Sequence, residues 1–184
     1  MARSEALAAA RSSYERAHLG AALRGIGVAA AITGLALALG RQTHATWIIA
    51  SIVAATLAVL GWRGGAWRRG SLAGVLAGLP PLIAPSLVFA LSHGGHCPDC
   101  ELGPTLPCML ACFGTSTLVG VFVGHAASRD LHSRRYALAA IASAVATGLL
   151  GCSTTGLGGA IGIVAGMVAG SVTGWLVAGR HAHA

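Results

Sequence analysis

Residues 156–178 read GLGGAIGIVAGMVAGSVTGWLVA, an unbroken run without a charged side chain. As a helix rising 1.5 Å per residue, this run is roughly 35 Å long, enough to cross the ~30 Å hydrocarbon layer of a bilayer. Within it Gly158, Gly162, Gly166, Gly170 and Gly174 recur at every fourth position and make overlapping G-x-x-x-G units. Residues at that spacing share a helix face, and the missing side chains let another backbone come close, which drives helix association in lipid. The glycine zipper therefore predicts tight helix packing. Its partner is either a helix of the same chain or a second copy, which leaves a homo-oligomer open.

Moving outward, apolar runs also occupy about 25–40, 45–62, 72–91, 107–127 and 136–152. The chain has 184 residues, of which 55% are hydrophobic and 9% charged. Its mean hydropathy is +0.74. Soluble domains carry about 25% charged residues. The expected fold is an all-α membrane protein, a bundle of six transmembrane helices with glycine-rich packing faces. Residues 1–24 form a cytoplasmic N-terminal helix in this reading. Residues 25–178 form the six-span bundle with a cysteine-rich outer loop at 92–107, and 179–184 form a cytoplasmic tail. Glu5 and Glu15 lie in a polar leader, which does not fit a cleavable signal and makes the first apolar run an uncleaved anchor. In that leader Leu7, Ala10, Tyr14, Ala17 and Ala21 recur at helical spacing, as in a helix lying on headgroups or docking a soluble partner.

Arginine placement orients the spans, because cytoplasmic loops carry the excess of basic residues. All 12 Lys and Arg positions are arginine, and the net charge is +7. The N-terminal segment has Arg3, Arg11, Arg16 and Arg24, and the first loop has Arg41. The second loop has Arg63, Arg68 and Arg69, the fourth has Arg129, Arg134 and Arg135, and the tail has Arg180. The third and fifth loops have none. This alternation puts both termini in the cytoplasm of a bacterial inner-membrane protein. It also explains the positive charge without nucleic acid, which is not an expected partner; membrane lipid is. Trp47, Trp62, Trp67 and Trp175 fall near span ends, as interfacial anchors do. Gly70, Gly74 and Gly78 repeat the zipper in the third span, and Gly120 and Gly124 in the fourth. Pro80, Pro81 and Pro85 remove backbone donors from the third span and predict a kink.

The chemistry-bearing residues gather at the opposite end. His93, His96, Cys97 and Cys100 lie in the outer loop, Cys108 and Cys112 begin the fourth span, and Cys152 ends the fifth. Three chemistries fit this set. Disulfides in an oxidising compartment would staple the loop to the bundle, although five cysteines leave one over. Zinc or another soft metal would take thiolates and imidazoles, and His93-x3-Cys97-x2-Cys100 has ligand spacing, with Cys108 or Cys112 as a fourth donor. Thiol–disulfide exchange would use Cys97-Pro98-Asp99-Cys100 as a reactive pair. His44 is expected at the same surface, while His125, His132, His181 and His183 are expected at the cytoplasmic one. No nucleotide-loop, serine-hydrolase or paired-carboxylate motif occurs, and five acidic residues give acid–base catalysis little to work with. An enzyme is therefore not the leading expectation.

Six spans, a short cytoplasmic N-terminal segment and cysteines where the fourth span begins and the fifth ends resemble the six-span membrane anti-sigma factors. Cys108-Met109-Leu110 or Cys112 occupies the first cysteine position of that pattern, and Gly151-Cys152 the second. The resemblance implies a non-enzymatic negative regulator. Periplasmic cysteines would sense soft metal or oxidant, and residues 1–24 would hold a cytoplasmic sigma factor. The family's N-terminal aspartate-and-proline pattern is absent here, and Cys97-Pro98-Asp99-Cys100 is additional to it. Two alternatives stand beside this reading. A membrane thiol–disulfide oxidoreductase would be similar to the quinone-linked disulfide oxidases. A small soft-metal ion transporter would need cysteines along its path, yet spans one, two, three and six contain none.

Overall fold

The computed structural model describes residues 2–39, 44–93, 106–151 and 156–181, and every element among them is helical. Six helices follow one another: α1 (Ala2–Ala38), α2 (His44–Arg63), α3 (Gly65–His93), α4 (Leu106–Ser128), α5 (Ser133–Gly151) and α6 (Gly156–His181). By length and composition four of them can cross a membrane: Arg11–Ala38 of α1, His44–Arg63, Leu110–Ser128 of α4 and Gly159–Gly179 of α6. The expected third and fifth spans are not among these four. The reason differs for the two helices. α5 is the most enclosed, with Ala139, Ala140, Ser143, Ala144, Ala146, Thr147, Gly148, Leu150 and Gly151 all buried, so its side chains meet protein and can be small. α3 carries Arg68 and Arg69 near its start and a proline pair at its middle, yet turns Leu72, Leu76, Ile83 and Leu87 outward.

Small side chains fill much of the interior beside Leu57, Leu82, Leu150, Ile163 and Met167, while many large apolar ones face outward. The core holds Ala29, Ala36, Ala139, Ala140 and Ala144 together with Ser116, Ser143, Thr46 and Thr147. The outer surface presents Ile48, Ile52, Leu76, Leu118, Phe122, Ile161 and Leu176. Water would penalise that arrangement, whereas lipid tails accept it and leave close backbone packing to join the helices. The protein is thus a multi-pass membrane protein by its architecture.

Three helix pairings dominate: α4 with α6, α3 with α5, and α1 with α2. In each, glycines face backbone. A Cβ added to Gly166 would lie 2.6 Å from the Phe113 carbonyl oxygen, and one on Gly120 would lie 2.7 Å from that of Met167. Gly170 and Gly174 stand against the Thr117 and Val121 carbonyls. Gly70, Gly74 and Gly78 meet the carbonyls of Tyr136, Ala140 and Ala144. In both sets the contacting residue numbers rise together, so α4 and α6 are parallel, as are α3 and α5. Gly70, Gly74, Gly78, Gly120, Gly124, Gly166, Gly170 and Gly174 therefore pack against helices of this chain. Gly162 is buried in α6, and Gly158 continues the same helix. The α1–α2 pair is antiparallel, with Gly25 on the Leu57 carbonyl and Gly61 on that of Ala21.

The connections are shorter than the sequence suggests. α2 and α3 are joined through Gly64 (φ 64°) and Gly65 (φ 54°), left-handed conformations that glycine adopts without penalty. Arg68 and Arg69 consequently lie in the first turns of α3 and not in a loop. α3 stays helical through Pro80, Pro81 and Pro85. Pro81 is buried there, its ring against Gly148 and its carbonyl against Gly151. At the N-terminus, the segment expected at 2–24 is helical and continues without interruption into the first apolar run.

Candidate functional site

The cysteine-bearing end is reached by α3, α4, α5 and α6. Of the expected donors, His96, Cys97, Cys100 and Cys152 lie outside the described residues. His93 closes α3 and Cys108 belongs to the first turn of α4, while Cys152 directly follows the last residue of α5. Cys112 is the donor whose surroundings are defined. One turn into α4 from Cys108, it is fully buried against Ile163 of α6, with Val145 of α5 packed on the same cluster. The antiparallel course of α4 and α5 brings the start of one and the end of the other to the same end of the bundle. Cys108 thus lies at the end of the bundle where α5 finishes at Gly151. Cys112, in contrast, is closed off from a ligand arriving at the surface. Among the described residues no three His, Cys, Asp or Glu side chains converge as a metal-ligand group.

Beneath Cys112 the seams are lined by hydroxyls. Ser143 donates to the Ala139 carbonyl and Thr115 to that of Ala111, within their own helices. Ser116, Thr147 and Ser171 are buried with no hydrogen-bond partner among the described residues. Each stands where a glycine of the neighbouring helix passes: Ser116 by Gly166, Thr147 by Gly78 and Ser171 by Gly120. A hydroxyl left unpaired in a dry seam costs about 1–3 kcal/mol, so these contacts are tight without being polar latches.

The opposite, arginine-bearing end has a defined polar structure. Asp130, in the α4–α5 turn, accepts hydrogen bonds from the His132 N–H (2.9 Å) and from Arg69 Nη2 (2.8 Å) and Nε (3.2 Å). The backbone bond from His132 and then the Arg69 guanidinium hold its carboxyl below the ordinary carboxylate range. The α4–α5 turn is thereby tied to the start of α3. Nearby, the His18 imidazole Nδ1–H of α1 donates to the Trp62 carbonyl in the last turn of α2, where helix carbonyls lack partners. Its ring lies 4.1 Å from that of Tyr14 and 5.9 Å from that of Trp62. Arg63 sits 5.0 Å over the Trp67 ring.

His18 and Asp130 escaped the sequence reading. His18 has no motif, since its partner is 44 residues away in sequence. Asp130 had a usable signal, being a lone acid among Arg129, Arg134 and Arg135. Towards its N-terminus the helix continues beyond His18. From Ala2 to Ala17, α1 extends about 24 Å past the end of α2, with Leu7 and Tyr14 each 65% exposed. Arg11 and Glu15 form a surface pair along it at 2.9 Å.

No protein-family model matches the chain, and no curated protein or solved structure does either.

Proposed function

We propose that the protein is a six-span regulator of a bacterial inner membrane, with both termini cytoplasmic, that controls a soluble cytoplasmic partner such as a sigma factor. Soft metal or oxidant acts at the cysteine-bearing end, and the N-terminal part of α1 holds or releases the partner. The observation that carries this reading is the length of α1. Its 37 residues make about 55 Å of uninterrupted helix, well beyond the ~30 Å hydrocarbon layer, so a helical arm stands outside the membrane in line with a span. A helix lying flat on headgroups would have to turn away from the span that it continues. The outward Leu72, Leu76, Ile83 and Leu87 support α3 as a span, and the parallel register supports α5 as its neighbour across the same thickness.

Burial of Cys112 supports a way of coupling the two ends. A ligand that engages Cys112 together with Cys108 or Cys152 favours the state in which the α4–α6 seam is open. Any shift in helix packing is limited by that difference in affinity. His93, His96, Cys97 and Cys100 are the further donors of such a site. The test uses the full chain crosslinked in its own membrane. A soluble protein should be recovered with the intact chain, lost on deletion of residues 2–17, and released by Cd(II), Hg(II) or a thiol oxidant. Release should fail when Cys108, Cys112 and Cys152 are replaced by Ser. Release that persists in that variant, or recovery that ignores the deletion, refutes the reading.

A further inference from the structure

We propose that the arginine-bearing end of the α3–α5 pair is a binding surface for one anionic phospholipid. Arg68, Arg134 and Arg135 take its phosphate, and Leu72, Leu76 and Leu138 take its acyl chains. Gly70 stands against the Tyr136 carbonyl, so the residues just before them, Arg68-Arg69 on α3 and Arg134-Arg135 on α5, stand side by side. Asp130 neutralises Arg69. Arg68, Arg134 and Arg135 are exposed and have no ion pair among the described residues. Cations in the first turns of two parallel helices oppose both helix dipoles, so they do not serve helix stability. Guanidinium groups grip phosphate through paired N–H donors, which an ammonium cannot match.

What lies beneath the arginines selects a lipid over a small anion or a nucleic acid. Positions four apart share a helix face. Leu72 and Leu76 follow Arg68 along α3, Leu138 follows Arg134 along α5, and all three leucines are exposed, Leu76 by 68%. Trp62 and Trp67 flank the same level, with Arg63 over Trp67, as residues at the headgroup depth of a bilayer do. At the tip of the α4–α5 turn Leu131 is 97% exposed between Asp130 and His132. A charged head above an aliphatic lane is the shape of a phospholipid.

The test is lipid retention by the purified full-length protein, read by native mass spectrometry, with phosphatidylglycerol and phosphatidylcholine of identical acyl chains in competition. The intact protein should retain phosphatidylglycerol preferentially. Arg68→Gln with Arg134→Gln and Arg135→Gln should lower that preference by about fivefold per arginine, while Arg11→Gln and Arg16→Gln on the projecting arm should leave it unchanged. Should the triple variant fail to fold, the intact protein still decides, because its preference must fall as salt is raised. Equal retention of the two lipids, a preference indifferent to salt, or displacement of the lipid by millimolar inorganic phosphate or by an oligonucleotide would each overturn the proposal.

Discussion

Gly120→Ala tests the packing on which everything else is built. An added methyl would lie 2.7 Å from the Met167 carbonyl oxygen and 3.0 Å from both Gly170 Cα and Ser171 N. All three are backbone atoms, so no side chain can rotate aside. Ordinary contact begins near 3.4 Å, and α4 and α6 must therefore separate locally by about 0.7 Å. A gap of 0.5–1 Å already forfeits roughly a quarter to a half of the dispersion energy of the atoms facing it. The expected loss is about 1–3 kcal/mol, typical of an overpacked core. Gly114→Ala is the matched control on the same helix, since nothing lies within 4 Å of its added methyl. Alanine favours the helix over glycine by about 1 kcal/mol at both positions, so the difference between the two variants isolates the seam. Reversible unfolding in mixed micelles, followed by circular dichroism, supplies the comparison. Equal stability of the Gly120→Ala and Gly114→Ala proteins would refute the parallel α4–α6 register.

Three further outcomes are expected. Gly65→Ala places a side chain at φ 54° in the α2–α3 turn and should destabilise the protein by about 1–2 kcal/mol, with Gly65→Asn costing less; equal unfolding midpoints would contradict the left-handed turn. Asp130 has a carboxyl pKa lowered by folding, so its contribution is complete above the unfolded value, near 4, and disappears as pH falls through the lower folded one. Asp130→Asn should remove that part of the acid sensitivity, seen as a smaller shift of the unfolding midpoint between neutral and acidic pH. His18→Ala deletes the bond to the Trp62 carbonyl, worth about 1 kcal/mol, and should raise amide exchange around residues 7–20 several-fold without changing α4 or α6. Uniform exchange changes across the bundle would show that His18 supports the whole fold and not the arm alone.

A good part of this protein was legible without coordinates. Long uncharged runs demand helices in lipid, because no other local structure satisfies every backbone N–H and C=O there. The glycine spacing likewise announced close helix packing, as Gly166, Gly170 and Gly174 on α6 bear out. What spacing could not say was which helix fills the groove. That depends on pairings between residues nearly fifty or more positions apart, such as Gly120 with Met167 and Gly70 with Tyr136, and only the tertiary arrangement decides them. The same arrangement enclosed α5 in protein, which is why its composition falls short of a lipid-facing span. It also buried Cys112 behind Ile163, although its sequence neighbourhood groups it with the outer cysteines. Local chemistry set the helices. Three-dimensional packing set which of them meet one another, because in lipid the choice of partner rests on shape more than on hydrophobicity.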